Sequence, residues 1–106
     1  MAAPQTVVAI TDDLITCARS SGLVERVRWD DLVKVEIMTT DQGPMFEDVF
    51  WVLYGRNNTG CVIPMGAKGE RKLIDRLQKL PGFDNEAMIA AMSSANNARF
   101  LCWEKG

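Results

Sequence analysis

The stretch VKVEIMTTDQGPMFEDVFWVLYGRNNTGCVIPM, residues 33–65, decides the fold, because its hydrophobic pattern changes twice without adopting a helical period. In its first part Val33, Val35 and Ile37 alternate with Lys34 and Glu36, the mark of a strand with one wet face. From Asp48 to Tyr54 the alternation disappears. DVFWVLY is apolar on both sides, so it needs cover above and below and belongs in the middle of a sheet. Arg56-Asn57-Asn58-Thr59-Gly60 supplies residues that tolerate positive φ, a strong turn. CVIPM (61–65) returns as a strand whose Pro64 cannot donate to a ladder, which places its end at an edge.

Upstream, TVVAI (6–10) and LITCAR (14–19) flank Thr11-Asp12-Asp13, a short polar link that suits a tight hairpin. Ser20-Ser21-Gly22 makes the next turn. LVERVRW (23–29) follows, with Val27 and Trp29 expected on one face and Arg26 and Arg28 on the other. Asp30 or Asp31 can cap a single helical turn before the next strand, with Trp29 and Leu32 packed beneath. Downstream of Gly66 the period lengthens to about 3.6. In GERKLIDRLQKL (69–80), Leu73, Ile74, Leu77 and Leu80 form one apolar stripe, and Pro81-Gly82 ends it. Asp84 is placed to cap a second helix over 85–95, which is expected to bury Met88, Ile89 and Met92. ARFLCW (98–103) reads as a closing strand. The expected fold is α+β, one domain over residues 1–106: a strongly bent antiparallel sheet or partly open barrel of six or seven strands, capped by one or two C-terminal helices.

Composition narrows the chemistry. The 106 residues contain no histidine, which removes the commonest general base and transition-metal ligand. Cys17, Cys61 and Cys102 stand far apart in apolar stretches, an odd count with no CxxC pair, so buried thiols in a reducing compartment are expected. The opening MAAPQ has neither the basic nor the apolar region of a signal peptide, and no apolar run approaches the roughly 20 residues that span a bilayer. A cytoplasmic location is expected.

The net charge of −2 is unevenly spread: residues 1–48 carry −5, 49–83 carry +4 and the remainder −1. The basic helix face Lys68, Arg71, Lys72, Arg76 and Lys79 is interrupted by Glu70 and Asp75, and no aromatic-rich basic surface accompanies it. Nucleic acid is therefore not an expected partner.

The acids Asp41, Glu47 and Asp48 gather around the Gly43-Pro44 turn. They lack the DxDxDG spacing of a calcium loop, and a convex hairpin tip makes a poor acid–base pocket. No catalytic residue, metal or cofactor is expected. A surface that meets a protein partner, built from Asp41, Glu47, Asp48, Trp51 and Arg56 or from an open sheet edge, is the functional expectation. A small-molecule module, or a weak enzyme using these carboxylates, stays open as the alternative. Should cover be missing over the apolar strand, either Phe50, Val52 and Tyr54 or Trp51 and Leu53 become an exposed patch. A homodimer through that face, or through an open strand edge, then follows.

The run Ile10 through Asp12-Asp13-Leu14, the step Val27-Arg28-Trp29-Asp30-Asp31-Leu32-Val33-Lys34-Val35, the Asn58-Thr59-Gly60 hairpin and the helix after Ile63-Pro64 together resemble the bacterial pleckstrin-homology-like domains. The resemblance covers roughly residues 6 to 80; residues 81–106 depart from the simplest form. It implies a scaffold that binds proteins, peptides or lipids, with no catalysis of its own. Phosphoinositide-binding members use a basic loop between the first two strands. Here that link is Thr11-Asp12-Asp13, which would repel an anionic headgroup, so no membrane partner is expected. A protein partner, for instance one that an inhibitor or immunity-type protein blocks through complementary charge, is the most specific form of the expectation.

Overall fold

The computed structural model describes residues 6–19, 21–40, 49–94 and 96–105. Along them run β1 (Val7–Ile10), β2 (Leu14–Ala18), β3 (Val24–Arg28), β4 (Leu32–Thr39), β5 (Val49–Gly55), β6 (Gly60–Pro64), α1 (Glu70–Leu77), α2 (Asn85–Met92) and β7 (Ala98–Glu104). The class is α+β with strands dominating, as the patterns predict. The strands form two antiparallel sheets, ordered β1-β2-β3 and β6-β5-β4-β7, and among the described residues no ladder closes them, consistent with the expected partly open form. Both helices are inserted before the last strand, which returns to pair with β4.

The hairpins form where turn chemistry places them. Thr11 Oγ1 accepts from the N–H groups of Asp13 and Leu14 at 3.2 and 3.1 Å, tightening the first link. Asn57 and Asn58 hold φ of 59° and 61°, the paired left-handed residues that a tight hairpin between twisted strands requires. β6 lies at the sheet edge, in accord with Pro64. Its outward peptide at Val62 meets side chains, not a strand: Glu25 Oε1 accepts from the Val62 N–H at 3.3 Å, and Arg19 Nη2 donates to the Val62 carbonyl at 3.1 Å. These two residues also pair with each other at 3.0 Å. The two sheets are thus joined along β3 and β6 by an ion pair that satisfies an edge peptide.

Two local expectations are corrected. The alternation through Val33, Val35 and Ile37 breaks at its first member, because a bulge between Leu32 and Lys34 inserts an extra residue. Leu32 is buried in place of Val33. Trp29 leaves the strand for a 3₁₀ turn, Trp29–Asp31, with Arg28 at its N-cap and no side-chain capping bond, so Asp30 and Asp31 sit within the turn and do not cap it. There its Nε1 donates to the Thr11 carbonyl at 2.9 Å, and the Arg76 guanidinium stacks 4.6 Å from its ring centre.

The core lies between the two sheets and under the helices. Cross-strand register sets Phe100, Ile37, Trp51 and Ile63 in one row on the inner face of the four-stranded sheet, and Trp103, Val35, Leu53 and Cys61 in the next. Leu73 and Leu77 of α1 and Met88 and Ala91 of α2 join this cluster, with Val8, Ile15, Cys17 and Val27 from the smaller sheet. The stripe expected on α1 is therefore present, with Leu73 and Leu77 fully buried and Ile74 and Leu80 packed at its margin. On α2 the burial differs from expectation. Met88 and Ala91 face inward, whereas Ile89 is 60% and Met92 46% exposed. A helix apolar nearly all round carries no clear facing signal, so its docking site chooses the face.

Asp84 caps α2 as its position predicts, accepting from the Ala87 N–H at 3.0 Å. Its own N–H donates to the Cys102 carbonyl at 2.7 Å, which ties the cap to β7. Asp84→Ala is expected to lower the unfolding free energy by about 1 kcal/mol. A urea titration that finds a midpoint unchanged from the parent protein would show that water replaces the cap at no cost.

Candidate functional site

Of the residues proposed as a group, only Trp51 and Arg56 are among the described ones. Asp41, Glu47 and Asp48 lie outside the described residues. Trp51 is fully enclosed, so it serves the core and offers no surface to a partner. Arg56 is exposed in the β5–β6 turn, where its N–H donates to the Asp31 carbonyl at 3.0 Å and its own carbonyl accepts from Thr59 Oγ1 at 2.7 Å. That turn lies at the opposite end of β5 from Val49, roughly 20 Å along the strand.

The thiols are not poised for chemistry. Burial pushes Cys61 up to about 12 and Cys102 up to about 11, and raises Cys17 as well despite the nearby Arg19. All three are buried free cysteines, so the thiolate that would attack or bind a metal is disfavoured. Among the described residues no group of three potential ligands could hold a metal ion. Again among them, no helix is long and apolar enough to cross a membrane.

What the fold does expose is the outer face of the four-stranded sheet. Cross-strand register arranges it in three rows, each running from β7 through β4 and β5 to β6: Glu104, Lys34, Tyr54, Gly60; then Leu101, Glu36, Val52, Val62; then Arg99, Met38, Phe50, Pro64. The side chains by which α1 and α2 enter the protein all belong to the cluster on the opposite, inner face. Among the described residues no helix or third layer covers the outer rows. Of the two patches weighed from sequence, it is Phe50, Val52 and Tyr54 that face outward, with Trp51 and Leu53 inside.

This face has two halves of different character. Over β7 and β4 it carries a charged network: Tyr54 Oη donates to Glu36 Oε1 at 2.7 Å, Arg99 Nη1 donates to Tyr54 Oη at 3.0 Å, and Arg99 lies 3.4 Å from Glu36. Lys34 stands 3.9 Å from Glu36 and 4.5 Å above the Tyr54 ring. The hydrogen bond to Glu36, and secondarily burial, raises the Tyr54 pKa above its ordinary value, so the phenol stays a neutral donor. Over β5 and β6 the face is apolar, with Phe50 and Val62 half-buried, Val52 only 8% exposed, Pro64 buried and the Tyr54 ring at its boundary. Leu101 stands 46% exposed at the other margin. Lys34 and Glu36 were legible as the wet side of a strand, but Arg99 and Tyr54 are distant in sequence and no spacing announces that they meet.

A separate cavity of about 700 Å³ opens between β1 and the start of α1, lined by Ala9, Ile10, Ala67, Arg71, Lys72 and Asp75 among others. Its charged side chains, Glu70, Arg71, Lys72 and Asp75, are two of each sign. Comparison with protein-family models, with curated proteins and with solved structures finds no match to this chain.

Proposed function

We propose that this domain binds another protein through the outer face of its four-stranded sheet, with no catalysis of its own. The observation that carries the proposal is the apolar content of that face. An antiparallel sheet with one side in solvent ordinarily presents polar residues there. Here half-buried Met38, Phe50 and Val62 and the 46% exposed Leu101 surround Val52, which is 8% exposed, with no helix over them among the described residues. A contiguous apolar patch rimmed by ordered charge is the pattern of an interaction surface. The likeness to pleckstrin-homology-like domains supports a binding scaffold, and three enclosed thiols suit a reducing, cytoplasmic setting. Asp41, Glu47 and Asp48 do not enter the proposal.

Leu101→Arg tests it. The position is exposed, so the change is expected to alter unfolding free energy by no more than about 0.5 kcal/mol. A charge in the middle row should nevertheless weaken binding of the partner at least about tenfold, whether that partner is a different protein or a second copy. Affinity capture and light scattering, each run on parent and variant at matched concentration, read the two cases. A partner held equally by both proteins would overturn the proposal.

A further inference from the structure

Resting on that reading, we infer that the occupant of the outer face is a second copy of this chain, stacked sheet on sheet about a two-fold axis that runs across the strands along the row Leu101, Glu36, Val52, Val62. The charges of the face select both the partner and the axis. Among the described residues its rows carry four ionised groups, Lys34, Arg99, Glu36 and Glu104, two of each sign, so neither a strongly acidic nor a strongly basic protein finds a net potential to match there. Another copy does.

An axis along the strands, between β4 and β5, would lay the charged half of one copy on the apolar half of the other and desolvate ions against Phe50 and Val62. The axis across the strands sets the charged half on the charged half and the apolar half on the apolar half. It exchanges the two flanking rows, so that Arg99 of each copy faces Glu104 of the other, twice, Phe50 faces Tyr54, and the Lys34 stem lies over Met38. Val52, Val62 and Leu101 each meet their own counterparts. Glu36 does too, but each Glu36 already has Arg99 and Lys34 beside it and the Tyr54 hydroxyl on its carboxylate. The strands of the two sheets then run within about 30° of one another, about 10 Å apart, the ordinary geometry of stacked antiparallel sheets.

The contact is small. Four strands at a spacing of about 4.8 Å and a length of about 20 Å project roughly 400 Å² a side, about half of what a standard interface buries, so a weak, reversible dimer is expected and not an obligate one.

Sedimentation velocity of the whole protein at about 100 μM tests this, with two charge reversals. Arg99→Glu places two Glu–Glu contacts in the dimer, and Glu104→Arg places two Arg–Arg contacts. Each variant alone is expected to dissociate at least about tenfold more readily than the parent. Mixed in equal amounts, the two regain both opposite-charge contacts and are expected to form the heterodimer. Glu104→Arg leaves the Glu36, Tyr54 and Arg99 network in place, so the test survives if Arg99→Glu proves unstable: Glu104→Arg with Arg99→Gln should then associate better than Glu104→Arg alone. A parent protein that stays monomeric at this concentration overturns the inference, as does a dimer that the mixture fails to restore. If the parent is monomeric but Leu101→Arg releases a different captured protein, only the self-pairing fails; if Leu101→Arg changes nothing, the proposed surface fails with it.

Discussion

Trp51→Ala is expected to lower the unfolding free energy by about 3–5 kcal/mol, the largest loss for any single truncation in this core. Trp51 sits in the middle of the inner face, fully enclosed, with Ile37 and Ile63 as its cross-strand neighbours. β5 is held by ladders on both sides, so the strand cannot slide inward to fill the space that the ring leaves. The cavity therefore persists, and its cost adds to the lost transfer energy. One feature of the residue works the other way. Its indole N–H has no hydrogen-bond partner among the described residues, and a buried donor left unpaired costs about 1–3 kcal/mol. Trp51→Phe removes that donor and keeps much of the ring, so it is expected to cost less than about 2 kcal/mol. Urea unfolding of both variants separates the contributions. Equal losses for Phe and Ala would mean that the indole's second ring, and not its enclosed volume as a whole, holds the core.

Gly69→Ala is expected to cost about 3 kcal/mol, although it adds a single methyl to an exposed position. Gly69 stands at φ +90° immediately before α1, and a Cβ there would run into the Val8 carbonyl oxygen. That contact belongs to a backbone junction. The Val8 N–H donates to the Lys68 carbonyl at 2.7 Å and the Lys68 N–H to the Thr6 carbonyl at 3.1 Å, closing the open edge of β1. Moving Val8 to admit the methyl strains this closure at the start of α1. Gly66→Ala is the matched control: φ is +94°, but nothing lies within 4 Å of the added Cβ, so only backbone strain of about 1 kcal/mol is expected. The melting temperature should fall by about 12–18 °C for Gly69→Ala and by about 4–6 °C for Gly66→Ala. Equal shifts would show that the steric contact contributes nothing beyond the strain.

The site was less legible than the fold, and the reason lies in the distances along the chain that each depends on. The Asp84 cap joins residues three apart, and the Asn57-Asn58 turn needs only its own backbone, so both are written in adjacent letters. The network of Glu36, Tyr54 and Arg99 unites three strands whose partners lie 18, 45 and 63 positions apart. Nothing local to Arg99 distinguishes it from an ordinary solvated cation. Trp51 follows the acids of the preceding loop closely in sequence, yet its side chain is enclosed in the core. Proximity in sequence along a strand says nothing about side, since neighbours point to opposite faces.

By itself, then, the sequence determined the strands, the turns between them, the change to helical period after Gly66 and the α+β class, because each rests on contacts within a few residues. Only the tertiary structure decided which face of the wholly apolar β5 is buried, how α2 is rotated, that β7 pairs with β4 and that an ion pair at Val62 joins the two sheets. A segment apolar on every side has no preferred orientation of its own. Packing against distant partners breaks that symmetry, and the side left over is the surface at which this protein is proposed to meet another.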